Sequence, residues 1–287
     1  MGNKKALFAV GTTALTAFGT FVACGSDKAK SPDAAVVHDS PVTHDAPADA
    51  APDASPYDFT CYGGSGAGSA TATITIAGTT GGLSGSAAAS VPDVALGFYK
   101  SGSANAVDST TSGSDGSFTS HPIATQGVPF DGYIRGSKVA YRVSYLYPPN
   151  PVAASLTGVP VPMISDAQFS QLNALVSQHD ASNGLLLMTV TDCNNMPISG
   201  ATLNVTQGSM SYSGIDLGSL QSQLAGIFIV ANVPDGATDV SATFGSMTFP
   251  THHVFAHKQE FVSGSGSGSG SGSDEGTLTV TVVRPGP

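Results

Sequence analysis

The sequence predicts an all-β protein: two small β-sandwich domains in tandem, one short connecting helix and a disordered N-terminal tether. Three observations carry the expectation. From Thr71 onward, apolar residues recur with a period of two in short runs rich in Val, Ile, Thr and Tyr. Gly, Pro, Asn and Asp punctuate those runs where turns are needed. A single stretch shows helical spacing. With 35 Gly and 18 Pro in 287 residues, and 40% apolar residues, the chain is neither collagen-like nor wholly disordered and can build cores.

The elements follow in order. Thr71–Ile76 alternates Thr with Ile and Ala, and Val94–Tyr99 is apolar and aromatic. Val139–Tyr147 (VAYRVSYLY) places Val139, Tyr141, Val143, Tyr145 and Tyr147 on one face of a strand. Ser165-Asp166-Ala167-Gln168 reads as a capping box, Ser at N-cap and Gln at N3. Phe169, Leu172 and Val176 then recur at helical spacing, which predicts a helix over residues 166–178. Thr277–Val283 (TLTVTVV) reads as the closing strand, preceded by a Gly/Ser loop at 263–273.

The two β regions are alike. Asp115-Gly116-Ser117-Phe118 leads through Gly127-Val128-Pro129 into Phe130–Gly136, and Gly226-Ile227-Phe228 leads through Val233-Pro234-Asp235-Gly236 to Thr238–Gly245. This predicts a duplicated supersecondary unit, with a first sandwich over 58–150, a connector over 151–182 and a second sandwich over 183–287.

Charge and the N-terminus bear on location. Charged residues make up 10% of the chain, and 10 basic against 20 acidic residues leave a net charge of −10. Such a chain repels phosphate backbones, so nucleic acid is excluded as a charge-driven partner. Lys4 and Lys5 precede the uncharged stretch Ala6–Ala23, the shape of a secretory signal over residues 1–23. Phe21-Val22-Ala23-Cys24-Gly25 resembles the bacterial lipobox, with Phe21 where Leu is commoner. The resemblance implies acylation of Cys24, palmitate included, and a mature N-terminus at that residue. Gly25 in place of Asp implies the outer membrane of a Gram-negative-type envelope, on its periplasmic or surface face. A transmembrane anchor is the alternative, but the Thr and Gly residues of the stretch make a poor span.

Residues 24–57 then form an acidic Ala/Pro/Asp tether that cannot bury enough apolar surface to order itself. Its Asp series lacks the Asp-x-Asp-x-Asp-Gly pattern of a calcium loop. Once Cys24 is lipidated, Cys61 and Cys193 remain as an even pair in an oxidising compartment; a bridge between them is the economical reading, two unrelated buried thiols the other.

The second β region carries a family resemblance. Its strand Leu187–Asp192 is followed by Pro197-Ile198-Ser199-Gly200-Ala201, a second strand, Gly226-Ile227-Phe228 and Val233-Pro234-Asp235-Gly236. This succession of P-x-x-G-A, G-x-F and V-P-x-G resembles the carboxypeptidase regulatory-like domain, a transthyretin- or prealbumin-like, Ig-like β-sandwich. The resemblance covers about residues 185–260, implies a core position for Phe228 and is weaker in the first region, which keeps D-G-S-F without a clear P-x-x-G-A.

Two groups of side chains are candidates for chemistry. Thr251–Glu260 (THHVFAHKQE) holds His252, His253 and His257, and on a strand His253 and His257 would share a face, which makes them candidate metal ligands. The hydrolase reading uses all three, but no His follows His257 to supply the distant third ligand of a metallocarboxypeptidase. Tyr141, Tyr145 and Tyr147, ahead of Pro148-Pro149-Asn150-Pro151, form a stripe suited to sugars or extended peptides, or else a half-buried strand. Tyr133-Ile134-Arg135-Gly136-Ser137 shares only a fragment with the Y-R-G-S ending of transthyretin-related hydroxyisourate hydrolases and carries no expectation.

No catalytic residue and no cofactor is expected. The expectation is a non-enzymatic cell-envelope lipoprotein for display or recognition. Its partners would be the membrane, through the lipid anchor, and a cell-surface protein or carbohydrate. The alternative is an envelope metal-dependent hydrolase using His252, His253 and His257.

Overall fold

The computed structural model describes residues 55–64, 68–82, 89–176, 180, 182–219, 222–258 and 277–286. The signal segment, Cys24, most of the tether, the Gly/Ser loop and Glu260 lie outside the described residues. The first half supplies β1 (Thr73–Ile74), β2 (Ile76–Gly82), β3 (Ala95–Lys100), β4 (Ala106–Thr111), β5 (Ser117–Thr119), β6 (Ile123–Ala124), β7 (Gly132–Ser137), β8 (Val143–Tyr147) and β9 (Leu156–Met163). After α1 (Asp166–Leu175) come β10 (Gly184–Val190), β11 (Thr202–Gln207), β12 (Met210–Tyr212), β13 (Ile215–Asp216), β14 (Ile227–Val233), β15 (Gly236–Phe244), β16 (Met247–Thr248), β17 (His252–Ala256) and β18 (Thr277–Val283).

The all-β expectation holds, and the two sandwiches share a layer. One eight-stranded sheet, in the order β13-β14-β10-β18-β8-β7-β3-β4, runs through both halves. The chain's last strand is its splice: β18 lies parallel to β10 on one side and parallel to β8 on the other. A strand flanked on both sides and covered on both faces buries side chains pointing either way, and in β18 only Val280 and Val282 stay half-buried. Thr277, Thr279 and Thr281 are accordingly buried. Their hydroxyls find backbone carbonyls, Thr279 donating to Phe255 at 3.1 Å and Thr281 to Tyr147 at 3.1 Å.

Three cores follow from this arrangement. On one face, Val143, Tyr145 and Tyr147 of β8 and Leu186, Met188 and Val190 of β10 pack against Val205, Val240, Ala242, Val254 and Ala256 of the sheet formed by β12, β11, β15, β16 and β17. Phe228 is buried in this core, as its motif implied. On the other face, Leu96, Phe98, Ile134 and Leu146 pack against Ile76, Phe118, Val161 and Met163 of the three-stranded sheet β5-β2-β9. Beside it, Leu185, Leu187, Ile229 and Leu278 receive Phe169 and Leu172 of α1 and Val176 just after it.

The helix begins as expected. The Ser165 side chain accepts from the Gln168 backbone N–H, and the Gln168 side chain accepts from the Ser165 N–H. It ends at Leu175 with Val176 already extended, earlier than residue 178. Its first turn is held by a buried cation: Arg142 Nε lies 3.1 Å from an Asp166 carboxylate oxygen, and its guanidinium stands 4.3 Å over the Phe169 ring.

Two expectations are corrected in detail. The strand Val139–Tyr147 shortens to Val143–Tyr147, because Ala140 adopts φ +66° and breaks the period. Val139 is left 70% exposed, and Tyr141 makes an isolated bridge to Ser165 and packs toward the core of the three-stranded sheet. Tyr141 therefore leaves the stripe that Tyr145 and Tyr147 keep. The two like units also enter opposite layers. In the first, β5 lies in the outer sheet and β7 in the shared one; in the second, β14 lies in the shared sheet and β15 in the outer one.

The segment leading in from the tether packs on the second sandwich, although it precedes the first in sequence. Tyr57 and Phe59 stack edgewise and face to face on Phe244, at 5.4 and 5.6 Å between ring centres. The Asp192 carboxylate accepts from the backbone N–H groups of Asp58, Asn194 and Met196, at 2.9, 2.9 and 2.8 Å. Cys61 and Cys193 are joined by a disulfide, their Cα atoms 5.7 Å apart. This clasp closes on the loop that follows β10.

Candidate functional site

The face of the shared sheet that carries the first core's tyrosines continues beyond the five-stranded sheet onto β7, β3 and β4. Alternation decides what it presents. In β7, Gly132, Ile134 and Gly136 are buried, which leaves Tyr133, Arg135 and Ser137 on the opposite face. The register then aligns Tyr133 with Tyr99 of β3, and Arg135 with Gly97 of β3 on one side and Tyr145 of β8 on the other. Cross-strand pairing of this kind turns separated aromatics into one cluster.

The cluster joins both groups singled out in the sequence. Tyr99 and Tyr133 stack with centroids 5.1 Å apart and planes 5° from parallel. Tyr133 touches Tyr145 at 5.7 Å and Tyr147 at 5.1 Å. His257, just past β17, lies over Tyr145 with ring centres 3.5 Å apart, and its Nε2 is 3.0 Å from the Tyr147 hydroxyl. Burial, with the neighbouring Tyr133 phenol adding to it, pushes the Tyr147 pKa above its ordinary value, so that group stays protonated. It donates to Nε2 whenever the imidazole carries its proton on Nδ1. The Arg135 Nε donates to the Tyr145 hydroxyl at 3.2 Å, and the guanidinium carbon sits 5.9 Å from that ring's centre.

Tyr145 and Tyr147 are 2% and 6% exposed, so they are walls of this arrangement rather than an open stripe. The accessible part lies beside them. Ala95, Gly97, Ser109, Thr111 and Ser137 floor a shallow concavity of about 380 Å³, bordered by Tyr99 and Arg135. The Tyr99 ring leans over Gly97, where a Cβ would stand 2.7 Å from it. Among the described residues lining the concavity, Arg135 is the charged one.

The histidines do not converge. His252 points inward, 7% exposed, and burial holds its pKa below the ordinary value. His253 points outward and pairs with Asp239 at 2.6 Å. His257 belongs to the tyrosine cluster. Among the described residues, no group of three His, Cys, Asp or Glu is placed to hold a metal ion. On β17 the residues His253 and Phe255 share the outer face, while His257 turns back over Tyr145 once the strand has ended.

Sequence reasoning missed Tyr99, Tyr133 and Arg135. The signal was present as strict alternation over Gly132–Ser137, but the partners that give it meaning lie on β3 and β8.

Fold and site together define a double β-sandwich with a shared central sheet and an aromatic, arginine-bearing face. No protein-family model matches the chain, and no curated protein matches it. Among solved structures, it is similar to the shaft pilin spaA of Lactobacillus rhamnosus GG, with 11% identity over 75% of this chain and 98% of the pilin and a TM-score of 0.23. It is similar also to the minor pilin GBS52 of Streptococcus agalactiae, with 8% identity over 75% of this chain and 97% of that one, again at 0.23. Superposition at these scores is too loose to define a common topology.

Proposed function

We propose that the protein is a non-enzymatic, lipid-anchored module of the cell envelope that holds a recognition face away from the membrane. The observation that carries this reading is the Cys61–Cys193 clasp. A chain anchored at Cys24 would run through the acidic tether and be sewn to the loop after β10. The face of β3 and β7 is laterally remote from that point. From β10 to β3 is four steps across the shared sheet, about 19 Å at roughly 4.8 Å per strand. Pull or drag on the tether would load the second sandwich and leave the recognition face clear.

The motif Pro197–Ala201 with Gly226-Ile227-Phe228 favours a carboxypeptidase regulatory-like origin for the second sandwich. Lipidation at Cys24 and residence in an outer membrane rest on the lipobox. The hydrolase alternative draws no support from His252, His253 and His257, whose side chains occupy three different surroundings.

The test is to express the full chain and a Cys24→Ser variant with labelled palmitate and to separate the membranes. The wild type should carry label and sediment with the envelope. The variant should carry none and appear in the soluble fraction. Label retained by Cys24→Ser would refute anchoring at that residue.

A further inference from the structure

We propose that β4, the outermost strand of the shared sheet, is a docking edge for a second copy of this chain. The two copies would pair β4 with β4 antiparallel, about a two-fold axis at Thr110. This goes beyond the reading as an envelope module and does not depend on lipidation.

The direction of the backbone groups along β4 comes first. Ser112 turns toward the start of β3, its N–H donating to Val94 at 3.0 Å and its carbonyl accepting from Asp93 at 3.2 Å. Backbone direction alternates along an antiparallel strand. Thr110, which pairs with Leu96, and Asp108, which pairs with Phe98, therefore face β3 as well. Ser109 and Thr111 turn their N–H and carbonyl groups to the other side, where no described strand pairs with β4. The register shift at Phe98 and Tyr99 is confined to the Ala106 end of the strand. An axis at Thr110 sets Ser109 opposite Thr111 of the second copy, and both outward groups of each residue find partners.

Other edges of the described sheets are blunted, and this one is not. β9 carries Pro160 and Pro162, which have no N–H to offer. On β17 the Phe255 carbonyl is taken by the Thr279 hydroxyl. β1, β5, β6, β12, β13 and β16 are two or three residues long, too short to template much pairing. β4 has six residues and contains neither Pro nor Lys.

Charge permits the pairing. Asp108 is the one charged residue of β4. It is held beneath the strand, accepting from the His121 backbone N–H at 2.8 Å and lying 2.9 Å from the His121 Nδ1. In this register Asp108 falls opposite Ser112 rather than its own counterpart, so a chain of net charge −10 sets no like charges against each other along the seam. Thr110 meets Thr110, a favourable cross-strand pair. Ser109 and Thr111 also line the concavity, so the two concavities would meet across the axis on one face of a continuous sheet. The edge is five steps across that sheet from β10 and its clasp, about 24 Å at roughly 4.8 Å per strand, which keeps the seam clear of the point where the tether is fastened.

The test is a cross-link. In a Cys24→Ser background the remaining cysteines are the bridged pair Cys61 and Cys193. Thr110→Cys would face its own counterpart with Cα atoms about 4.5 Å apart, within reach of a disulfide. Ala106→Cys, four residues from the axis, would stand about 27 Å from its counterpart at roughly 3.4 Å per residue. Mild oxidation of the purified full chain should give a reducible species of twice the chain mass from Thr110→Cys and none from Ala106→Cys. Adding Ser109→Pro or Thr111→Pro removes an N–H that β3 does not use. Each should suppress the cross-link while the urea midpoint stays that of the parent. Sedimentation of the unmodified chain in detergent should show dimer growing with concentration, which keeps the proposal testable if Thr110→Cys does not fold.

Absence of the cross-link in folded Thr110→Cys, equal cross-linking in Ala106→Cys, undiminished cross-linking in the folded proline variants, or a monomer at every concentration would each overturn the proposal.

Discussion

The imidazole of His257 lies flat on the ring of Tyr145, centres 3.5 Å apart and planes 12° from parallel. One residue leaves the outer sheet of the second sandwich; the other stands on a strand of the first. Their contact closes the seam between β17 and β8, where β18 is inserted below. A second bond secures it, the Tyr147 hydroxyl reaching His257 Nε2 at 3.0 Å across 110 residues of sequence. One of the two histidines named as candidate metal ligands is thus a packing element between halves.

Removing that hydroxyl should therefore cost stability without opening a cavity. Tyr147→Phe keeps the buried ring and leaves Nε2 without that partner, a loss of about 1–2 kcal/mol. His257→Ala also removes the stacked ring and should cost more, about 2–4 kcal/mol. Urea unfolding followed by tyrosine fluorescence measures both. A His257→Ala protein as stable as the wild type would show that the seam does not depend on this contact.

Acid should weaken the fold through His252. Its ordinary pKa is 6.5, and in the folded protein burial lowers it, with Arg284 and His253 nearby acting in the same direction. The unfolded chain therefore takes up a proton at a pH where the folded one does not. The stabilising contribution is complete above about pH 6.5 and declines as pH falls toward the depressed folded value. His252→Gln should flatten the fall in unfolding free energy between pH 7 and pH 5. An unchanged slope would mean that another group governs acid sensitivity.

Much of the fold was legible because local chemistry specified it. The capping box at Ser165–Gln168 and the β18 run TLTVTVV follow from neighbours close in sequence, and the buried place of Phe228 follows from the G-x-F motif of the resemblance. What stayed hidden depended on partners far along the chain. In β18 the polar residues that alternate with apolar ones are buried too, Thr279 and Thr281 because Phe255 and Tyr147 offer carbonyls to their hydroxyls. The shared sheet was hidden for the same reason, since no local rule says that the last strand will part β10 from β8. The site was half visible. Tyr145, Tyr147 and His257 stood out as residue types, but Arg135 and Tyr99 acquire a role only through register.

Two glycines of the second sandwich separate backbone conformation from close packing. Gly200 and Gly226 have nearly the same φ, +79° and +78°. A Cβ on Gly200 would stand in open space, whereas on Gly226 it would meet the Ile198 backbone N at 2.8 Å and O at 2.9 Å. Gly200→Ala should cost about 1–2 kcal/mol, the left-handed strain alone. Gly226→Ala carries the same strain and must also push β14 away from Ile198, so its loss should be several-fold larger. Equal thermal shifts for the two variants would contradict the close approach.

The clasp yields the largest expected effect. Cys61 and Cys193 are 132 residues apart, and a loop of that size gives about 5 kcal/mol by chain entropy. Reduction should also loosen the segment the bridge secures, since Tyr57 and Phe59 rest on Phe244 from one short stretch beside it. Paired replacement by Ser should lower the unfolding midpoint sharply while leaving the β-sheet spectrum intact at low temperature, because the three cores lie mostly outside that stretch. Alkylation offers the independent check. Neither thiol should gain mass before reductant is added, and both should gain it afterwards; a thiol that reacts at once in the native protein would remove the clasp and with it the argument for how the tether is attached.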